Sequence, residues 1–556
     1  MSITVGSFLL FTGLVALITW IKTRHDQTQT SDGYFLAGRS LTGPVIAGSL
    51  MLTNLSTEQL VGLNGVSFKE GFVCMAWETL ASVALVLLAI VFLPRYLRGG
   101  LTTIPQFLED RYDKTTRTMT NLLFLSGYLV ILLPTILYSG AVAISGIFDV
   151  PGLFGVDYVT SIWLSVWGIG LIGSAYAIFG GLRTVAVSDS LNGIGLLIGG
   201  LLIPVFGLAA IGGGDMFVGF ATLLQEQPAM FNAIGEDHQS VPFSTLFTGM
   251  MLVNTFYWCT NQAIVQRTLG AKNLAEGQKG VLLAAGLKLL GPLILVLPGM
   301  IAFHLFGGTL TNGDQAYPRL VQEVLPPWLT GFFGAVLVGA ILSSFNSALN
   351  SAATLFSKGL YKAYINQGAD ERRQVQAGKG FGIVIALLAM MGAPLIMKAP
   401  QGLFGYLQEV NGCYSIPILT ILVVGMFHRR MPAIAAKVGL VFGVLMYINT
   451  QFILKVELHF LHVMAILFVL NGLLMMAIAA LKPRPQAWAP RVTNDVDLSG
   501  WNLVRPVSVA ICALAIGNYM LLAPISKLWL MVPGLFVVGA VLSMMTPKPE
   551  AAVQPH

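Results

Sequence analysis

The chain has 556 residues, with 31 Lys+Arg and 25 Asp+Glu making up 10% of it, against the ~25% charged residues of an ordinary soluble protein. The composition is 55% hydrophobic, and apolar runs near or above ~18 residues recur along the whole length, the pattern of a membrane protein with many helices. This excludes a secreted disulfide scaffold, a nucleic-acid binder and a disordered tail, and the net charge of +6 follows from where the cations sit.

Cys74, Cys259, Cys413 and Cys512 all lie in apolar stretches, with no CxxC or Cys/His cluster, and read as small packing residues. No nucleotide-phosphate loop, zinc-protease or serine-hydrolase motif is present. The first apolar run has no basic segment before it and no small-residue cleavage site after it, so it is expected to be a retained first helix.

About fifteen transmembrane helices are predicted, an all-α polytopic architecture. In chain order they are 4–22, 43–66, 71–95, 118–149, 158–180, 185–211, 245–268, 279–306, 328–357, 379–398, 403–427, 432–454, 458–481, 506–523 and 527–546. With the N-terminus outside and alternating loops, inner loops hold 25 Lys and Arg and outer loops five, while Lys288 falls inside a helix. That asymmetry sets the orientation by the positive-inside rule and leaves the C-terminus inside. The second and seventh spans are each interrupted by polar residues, Thr53–Gln59 and Asn254–Gln262, five spans apart. An odd offset inverts one five-helix half relative to the other, and paired broken helices mark the binding site of a secondary transporter.

Polar groups at bilayer depth are costly and either pair or line a wet path. Lys288, Glu78, Gln59, Gln408 and Asn254 all stand in apolar surroundings. They read either as a structural ion pair with interhelical hydrogen bonds or as a cluster facing a polar, uncharged solute. Tyr257 and Trp258 sit beside Asn254 and offer either packing or a stacking face for a pyranose. Ser343, Ser344 and Ser347 either bond back to their own helix or contribute to an all-oxygen cage. With carbonyls of Leu52 and Leu55 from an unwound helix, such a cage suits sodium. Asp189 reads as a helix N-cap or as a cation relay near the inner mouth.

Six ordered blocks then carry a resemblance to the solute:sodium symporter family over about 31–480, nearest its sodium/galactose and sodium/glucose branches. They are TNLSTEQLVG at 53–62, AIFGGLRTVAVSD at 177–189, FYWCTNQAIVQRTLGAKNLAEGQKG at 256–280, LKLLGPLILVLPG at 287–299, AILSSFNSALNSAATL at 340–355 and FGYLQEVNG at 404–412. The resemblance implies a five-plus-five inverted repeat, as in leucine-type transporters, with its first and sixth core helices broken. It divides the chain into a leading helix and loop (1–42), a first repeat (43–212), an outer loop and second repeat (213–430) and peripheral C-terminal helices (431–556). It places sugar contacts on Gln59, Glu78, Asn254, Lys288 and Gln408, and the inner gate on Tyr257. Sodium falls on Leu52, Leu55 and Ala340 through backbone oxygens and on Ser343 and Ser344, with Asp189 at the sodium exit. Trp77 stands where the galactose carriers have Tyr, Leu63 where they have Met and Gly405 where they have an amide; Asn346 interrupts the hydroxyls that a second sodium uses. The reading is a sodium-coupled symporter importing a neutral sugar such as galactose or glucose across a bacterial inner membrane, with no organic cofactor and no enzymatic activity. The alternatives are another polar solute (a polyol, sialic acid or a nucleoside) or, in a different class, a channel or membrane-embedded enzyme.

Overall fold

The computed structural model describes residues 2–23, 39–310, 312–398, 402–490 and 496–523. Among these the architecture is all-helical, with one isolated bridge between Leu41 and Ala271 as its only β feature. Eleven helices are long and apolar enough to cross a membrane, or twelve if the bent pair Leu274–Lys288 and Gly291–Phe306 counts as one span. The difference from fifteen has local causes. The predicted spans 43–66 and 245–268 are each split into two short helices, Gly43–Asn54 with Thr57–Glu70 and Gly249–Cys259 with Gln262–Leu269. The second part of the first pair runs on toward Arg98 as one helical stretch, although Gly71, at φ +67, turns the chain there. Only glycine adopts that conformation at no cost, and a Cβ at Gly71 would lie 2.2 Å from the Met230 carbonyl oxygen. The predicted span 527–546 lies outside the described residues.

Helical backbone also runs without a break from Tyr158 to Ile211, where two spans were expected. The packing shows that it doubles back. A Cβ on Gly173 would lie 2.9 Å from Phe345, and one on Gly339 would lie 2.3 Å from Asn192. In a straight helix residues 173 and 192 would be roughly 28 Å apart, whereas 339 and 345 are about 9 Å apart. The apolar segments Tyr158–Ala175 and Leu191–Ile211 are therefore two crossings joined by a tight helical return. Asp189 lies on helical backbone, so the N-cap reading fails because no helix starts there; its side chain lies outside the described residues.

Elsewhere the ends are fixed by short polar side chains. Asp113 caps Lys114–Gly127 through the Thr116 amide at 2.8 Å, and Asn273 caps Leu274–Lys288 through the Glu276 amide at 2.8 Å. The kink of 51° in the bent pair follows Leu289 and Leu290 and coincides with Pro292, whose nitrogen cannot donate. The outer surface is a belt of exposed apolar side chains such as Leu10, Val130, Ile172 and Leu473, as a bilayer requires. Helix Ser2–Thr23 lies at the periphery against Pro327–Phe356, where Gly331 allows backbone contact.

Candidate functional site

The two helix interruptions meet at one cavity. At the first, Leu55 leaves helical geometry (ψ 58) and Ser56 is extended (ψ 172) before helix Thr57–Glu70 begins. At the second, Asn261 restarts the helix by accepting from the Ala263 amide at 3.0 Å, and the Tyr128 hydroxyl donates to the same oxygen at 3.0 Å. The carbonyl of Cys259, freed by the break, accepts from Tyr96 Oη at 2.8 Å. Buried backbone groups released by a break need such partners, so the neighbours stabilise the broken form.

Asn54, Glu58 and Gln59 reach the cavity from the first break, and Asn254, Tyr257, Trp258 and Asn261 from the second. Trp77 and Glu78 close one side, and Gln408, Asn411, Tyr414 and Ser415 the other. Of the residues predicted as solute contacts, Gln59, Glu78, Asn254 and Gln408 thus line one cavity. Lys288 stands directly behind it. Its side chain is fully buried, its Nζ lies 2.5 Å from Glu78 Oε2, and it lies 5.6 Å from the centre of the Trp258 ring. A Cβ at Gly291 would lie 2.3 Å from the same carboxylate oxygen, so the glycine after the kink lets helix and carboxylate meet. The cavity wall leaves acceptors without donors: Asn54 Oδ1, Glu58 Oε2 and Gln59 Oε1 have no hydrogen-bond partner among the described residues. Such buried groups demand one.

Trp77 and Gln408 also line a wider vestibule with Glu70, Gln239, Ser240, Gln451, Lys455 and His459. Trp77 and Phe404, edge to face at 5.3 Å, stand between vestibule and cavity. Burial pushes the His459 imidazole down to about 4, against the pull of its hydrogen bond to the Ser240 carbonyl, so the vestibule presents a neutral ring at neutral pH. Away from the vestibule, Tyr257 packs against Trp258 at 5.2 Å, and Phe256, Tyr414 and Phe124 form a further aromatic layer.

Ser343 and Ser344 are buried on helix Pro327–Phe356, and both hydroxyls lack a partner among the described residues. They do not bond back to their own helix, which removes the ordinary explanation for such serines. Ser347 does, donating to the Ser343 carbonyl at 2.6 Å. Ala340 lies one turn before them on the same helix and Leu55 at the break itself, while Leu52 lies in the last turn of Gly43–Asn54. Two hard oxygen donors left free beside an interrupted helix fit a sodium ion as cargo.

Sequence reasoning missed Arg267. It was counted with the loop cations, yet it is 1% exposed within helix Gln262–Leu269. Its Nε donates to Ser49 Oγ at 2.9 Å, one Nη to the Ala263 carbonyl at 2.7 Å and the other to Ser347 Oγ. It thereby joins the first broken helix, the second and the serine helix. Arg111, counted the same way, is buried with its guanidinium on the carbonyls of Gly425, His428 and Met431. Also missed were Asn411 and Ser415, which follow Gln408 at helical spacing, a signal that was available.

The model of the sodium:solute symporter family matches residues 34–443. The chain is 49% identical to the uncharacterized symporter YidK of Escherichia coli K12 over 97% of this chain and 95% of that protein. It is 32% identical to the sodium/glucose cotransporter of Vibrio parahaemolyticus, covering 78% and 82%, and 31% identical to sodium/myo-inositol cotransporter 2 of Sus scrofa, covering 79% and 68%. In fold it is similar to a solved Na+-coupled sialic acid symporter in a substrate-bound outward-open state, with a TM-score of 0.74 over 87% of this chain and 99% of that one at 19% identity. The amino-acid complex of MhsT with L-phenylalanine is more distant, at a TM-score of 0.51 over 78% and 99% and 13% identity. This multi-pass membrane chain, with its interrupted helices around a polar cavity, belongs to the sodium:solute symporter family and is a sodium-coupled transporter, not an enzyme.

Proposed function

We propose that this symporter imports a neutral polyhydroxy solute, a sugar such as galactose or glucose, by alternating access. The observation that carries this reading is the single cavity between the two helix breaks, walled by Gln59, Glu78, Asn254 and Gln408 with acceptor oxygens left free. Hydroxyls both donate and accept, so a polyol satisfies such a wall without bringing charge. Lys288 holds Glu78 in place, Tyr257 closes the side away from the vestibule, and sodium binds at Ser343 and Ser344 with carbonyls of Leu52, Leu55 and Ala340. Sodium at that site couples the serine helix to the first break, and Asp189 receives the ion as it leaves. The halves 43–212 and 213–430 act as two inverted repeats flanked by 1–42 and 431–556. Inward movement of one sodium at ~100 mV supplies ~2.3 kcal/mol, before the concentration gradient is added. A second reading, a cyclic polyol, is favoured by the myo-inositol relative and draws on the same wall.

The test is uptake of labelled galactose, glucose and inositol into proteoliposomes under an imposed sodium gradient, with potassium and lithium controls. Sodium-dependent accumulation of one of them is expected; none above the potassium control would sink the reading. Ser344→Ala should raise the sodium concentration for half-maximal uptake by about tenfold, the effect of losing ~1.4 kcal/mol of ion binding. An unchanged sodium titration at normal protein levels would take this hydroxyl out of the site.

We also place the N-terminus outside and the C-terminus inside a bacterial inner membrane, from the charge asymmetry of the loops. In a background with Cys74, Cys259, Cys413 and Cys512 replaced, His238→Cys should react with an impermeant thiol reagent on intact cells. Ile365→Cys should react only after permeabilisation, and the reverse pattern would invert the topology.

A further inference from the structure

We infer that a pocket at the end of the helix bundle binds the phosphate of an anionic phospholipid headgroup, such as that of phosphatidylglycerol, through Arg95, Arg98 and Arg429. The inference does not depend on which solute the central cavity takes. Two membrane spans end at this pocket. Thr57–Arg98 closes on Arg95 and Arg98, and Leu403–Phe427 closes on Phe427, with Arg429 two residues beyond. The three arginines are exposed, and they line the pocket together with Asp110, Phe427 and Trp488.

The charge balance points to an anion. Three guanidiniums meet one carboxylate, so the lining carries a surplus of two positive charges whichever of them Asp110 faces. Behind it, Arg111 lies 5.2 Å from the Trp488 ring with its guanidinium on backbone carbonyls, and Arg484 donates to the Arg111 carbonyl at 3.0 Å. Carbonyl partners orient a guanidinium without cancelling its charge. The pocket is also built rather than open. Trp488 donates its ring N–H to the Asp110 carbonyl at 3.1 Å and its amide to the Arg429 carbonyl at 2.9 Å, while the Arg484 amide donates to the Arg430 carbonyl at 2.9 Å.

The position points to a lipid rather than a soluble anion. Phe427 is 60% exposed at the last residue of its span, and the Arg95 guanidinium lies 5.6 Å from the centre of its ring. An exposed aromatic at the end of a span stands at headgroup depth, and arginines there keep their stems on apolar surface and their charge at the interface. A lipid brings its phosphate to that depth and lays its acyl chains on the apolar belt, whereas free phosphate brings charge alone. This is the end that the loop charges place inside, where basic pockets between helices hold anionic headgroups. The two spans carry Glu78 and Gln408 at the central cavity, so one bound headgroup ties together the ends of two cavity helices.

The experiment is native mass spectrometry of the purified full chain, with phosphatidylglycerol and phosphatidylcholine of the same acyl chains added in equal amounts. The wild type is expected to retain phosphatidylglycerol about tenfold more than the zwitterionic lipid, the effect of two uncompensated cations at roughly fivefold each or somewhat less. Arg95→Gln with Arg98→Gln and Arg429→Gln should lose that preference. Lys362→Gln with Arg372→Gln and Arg373→Gln, which removes three exposed cations elsewhere, should keep it. Millimolar inorganic phosphate should leave it unchanged. Equal retention of the two lipids by the wild type, or a preference that survives in the pocket variant, would overturn the inference. So would an equal loss in the distant variant, which would reduce the effect to overall charge, or displacement by inorganic phosphate, which would make the ligand a soluble anion. Should the triple pocket variant fail to insert, Arg429→Gln alone, beyond the end of its helix, should lower the preference severalfold, and no change there would equally overturn it.

Discussion

Replacing either Glu78 or Lys288 with Ala will abolish sodium-driven uptake, not merely weaken it. The two are buried at 2% and 0% exposure and joined at 2.5 Å, so removing one leaves an unpaired charge where water does not reach. Breaking such a pair costs about 3–5 kcal/mol. A single variant cannot separate lost binding from lost folding, and the double variant Glu78→Leu with Lys288→Met does. Two apolar side chains of similar volume are tolerated where a buried pair stood, and often stabilise. The double variant should therefore insert and melt at or above the wild-type temperature, yet carry no sugar, because the cavity has lost the Glu78 carboxyl. Uptake near wild type in that variant would reduce the pair to a structural element and leave the cavity without its charged anchor.

Loss of Arg267 should be nearly as severe. Its guanidinium holds Ser49 on the first broken helix, the Ala263 carbonyl on the second and Ser347 on the serine helix. Each buried hydroxyl or carbonyl left unmatched costs about 1–3 kcal/mol. Arg267→Leu is expected to lower the melting temperature in detergent and to reduce uptake by two orders of magnitude or more. Arg267→Lys should rescue stability in part and transport hardly at all, since a single ammonium does not span three elements as a planar fork does. Sodium-driven uptake within threefold of wild type in Arg267→Lys would show that the charge alone matters and that the three-way link does not.

What the sequence made legible follows from which physical signals run along one dimension. Apolar length fixes where a helix can cross a bilayer, and the helical counterparts of 4–22, 403–427 and 458–481 sit at Ser2–Thr23, Gly402–Phe427 and Phe460–Leu481. Both polar interruptions were visible for the same reason: Thr53–Gln59 and Asn254–Gln262 put hydrogen-bonding groups where hydrocarbon should be. The gathering of Gln59, Glu78, Asn254 and Gln408 at one cavity was foreseeable as a cluster of costly polar residues, with their roles carried by resemblance. Arg111 and Arg267 were not foreseeable, because a cation near the end of an apolar run looks alike whether it faces water or caps a neighbour's carbonyls. Only the three-dimensional return of 425–431 onto Arg111 distinguishes the cases. The return around Arg183 was legible too: the expected spans 158–180 and 185–211 have their counterparts at Tyr158–Ala175 and Leu191–Ile211. Glu58 lies one residue before Gln59 and lines the same cavity, yet it was not singled out as a solute contact.

The two doors of the cavity are unequal in thickness, and that inequality shapes how such a machine avoids slipping. Toward the vestibule stands one pair of rings, Trp77 against Phe404 at 5.3 Å. Its edge-to-face geometry adds about 1 kcal/mol to what the two rings gain by burying their area. On the other side the cavity is lined by Tyr257, Trp258, Phe256 and Tyr414, with Phe124 packed against the last two, and by Asn261, which is tied to Tyr128 at 3.0 Å. The vestibule side is thus closed by one ring pair and the other side by several. Thickness alone sets only how fast a solute passes; the direction of net movement is set by the sodium and solute gradients, and tight coupling asks that the thicker side part only with sodium and solute both aboard.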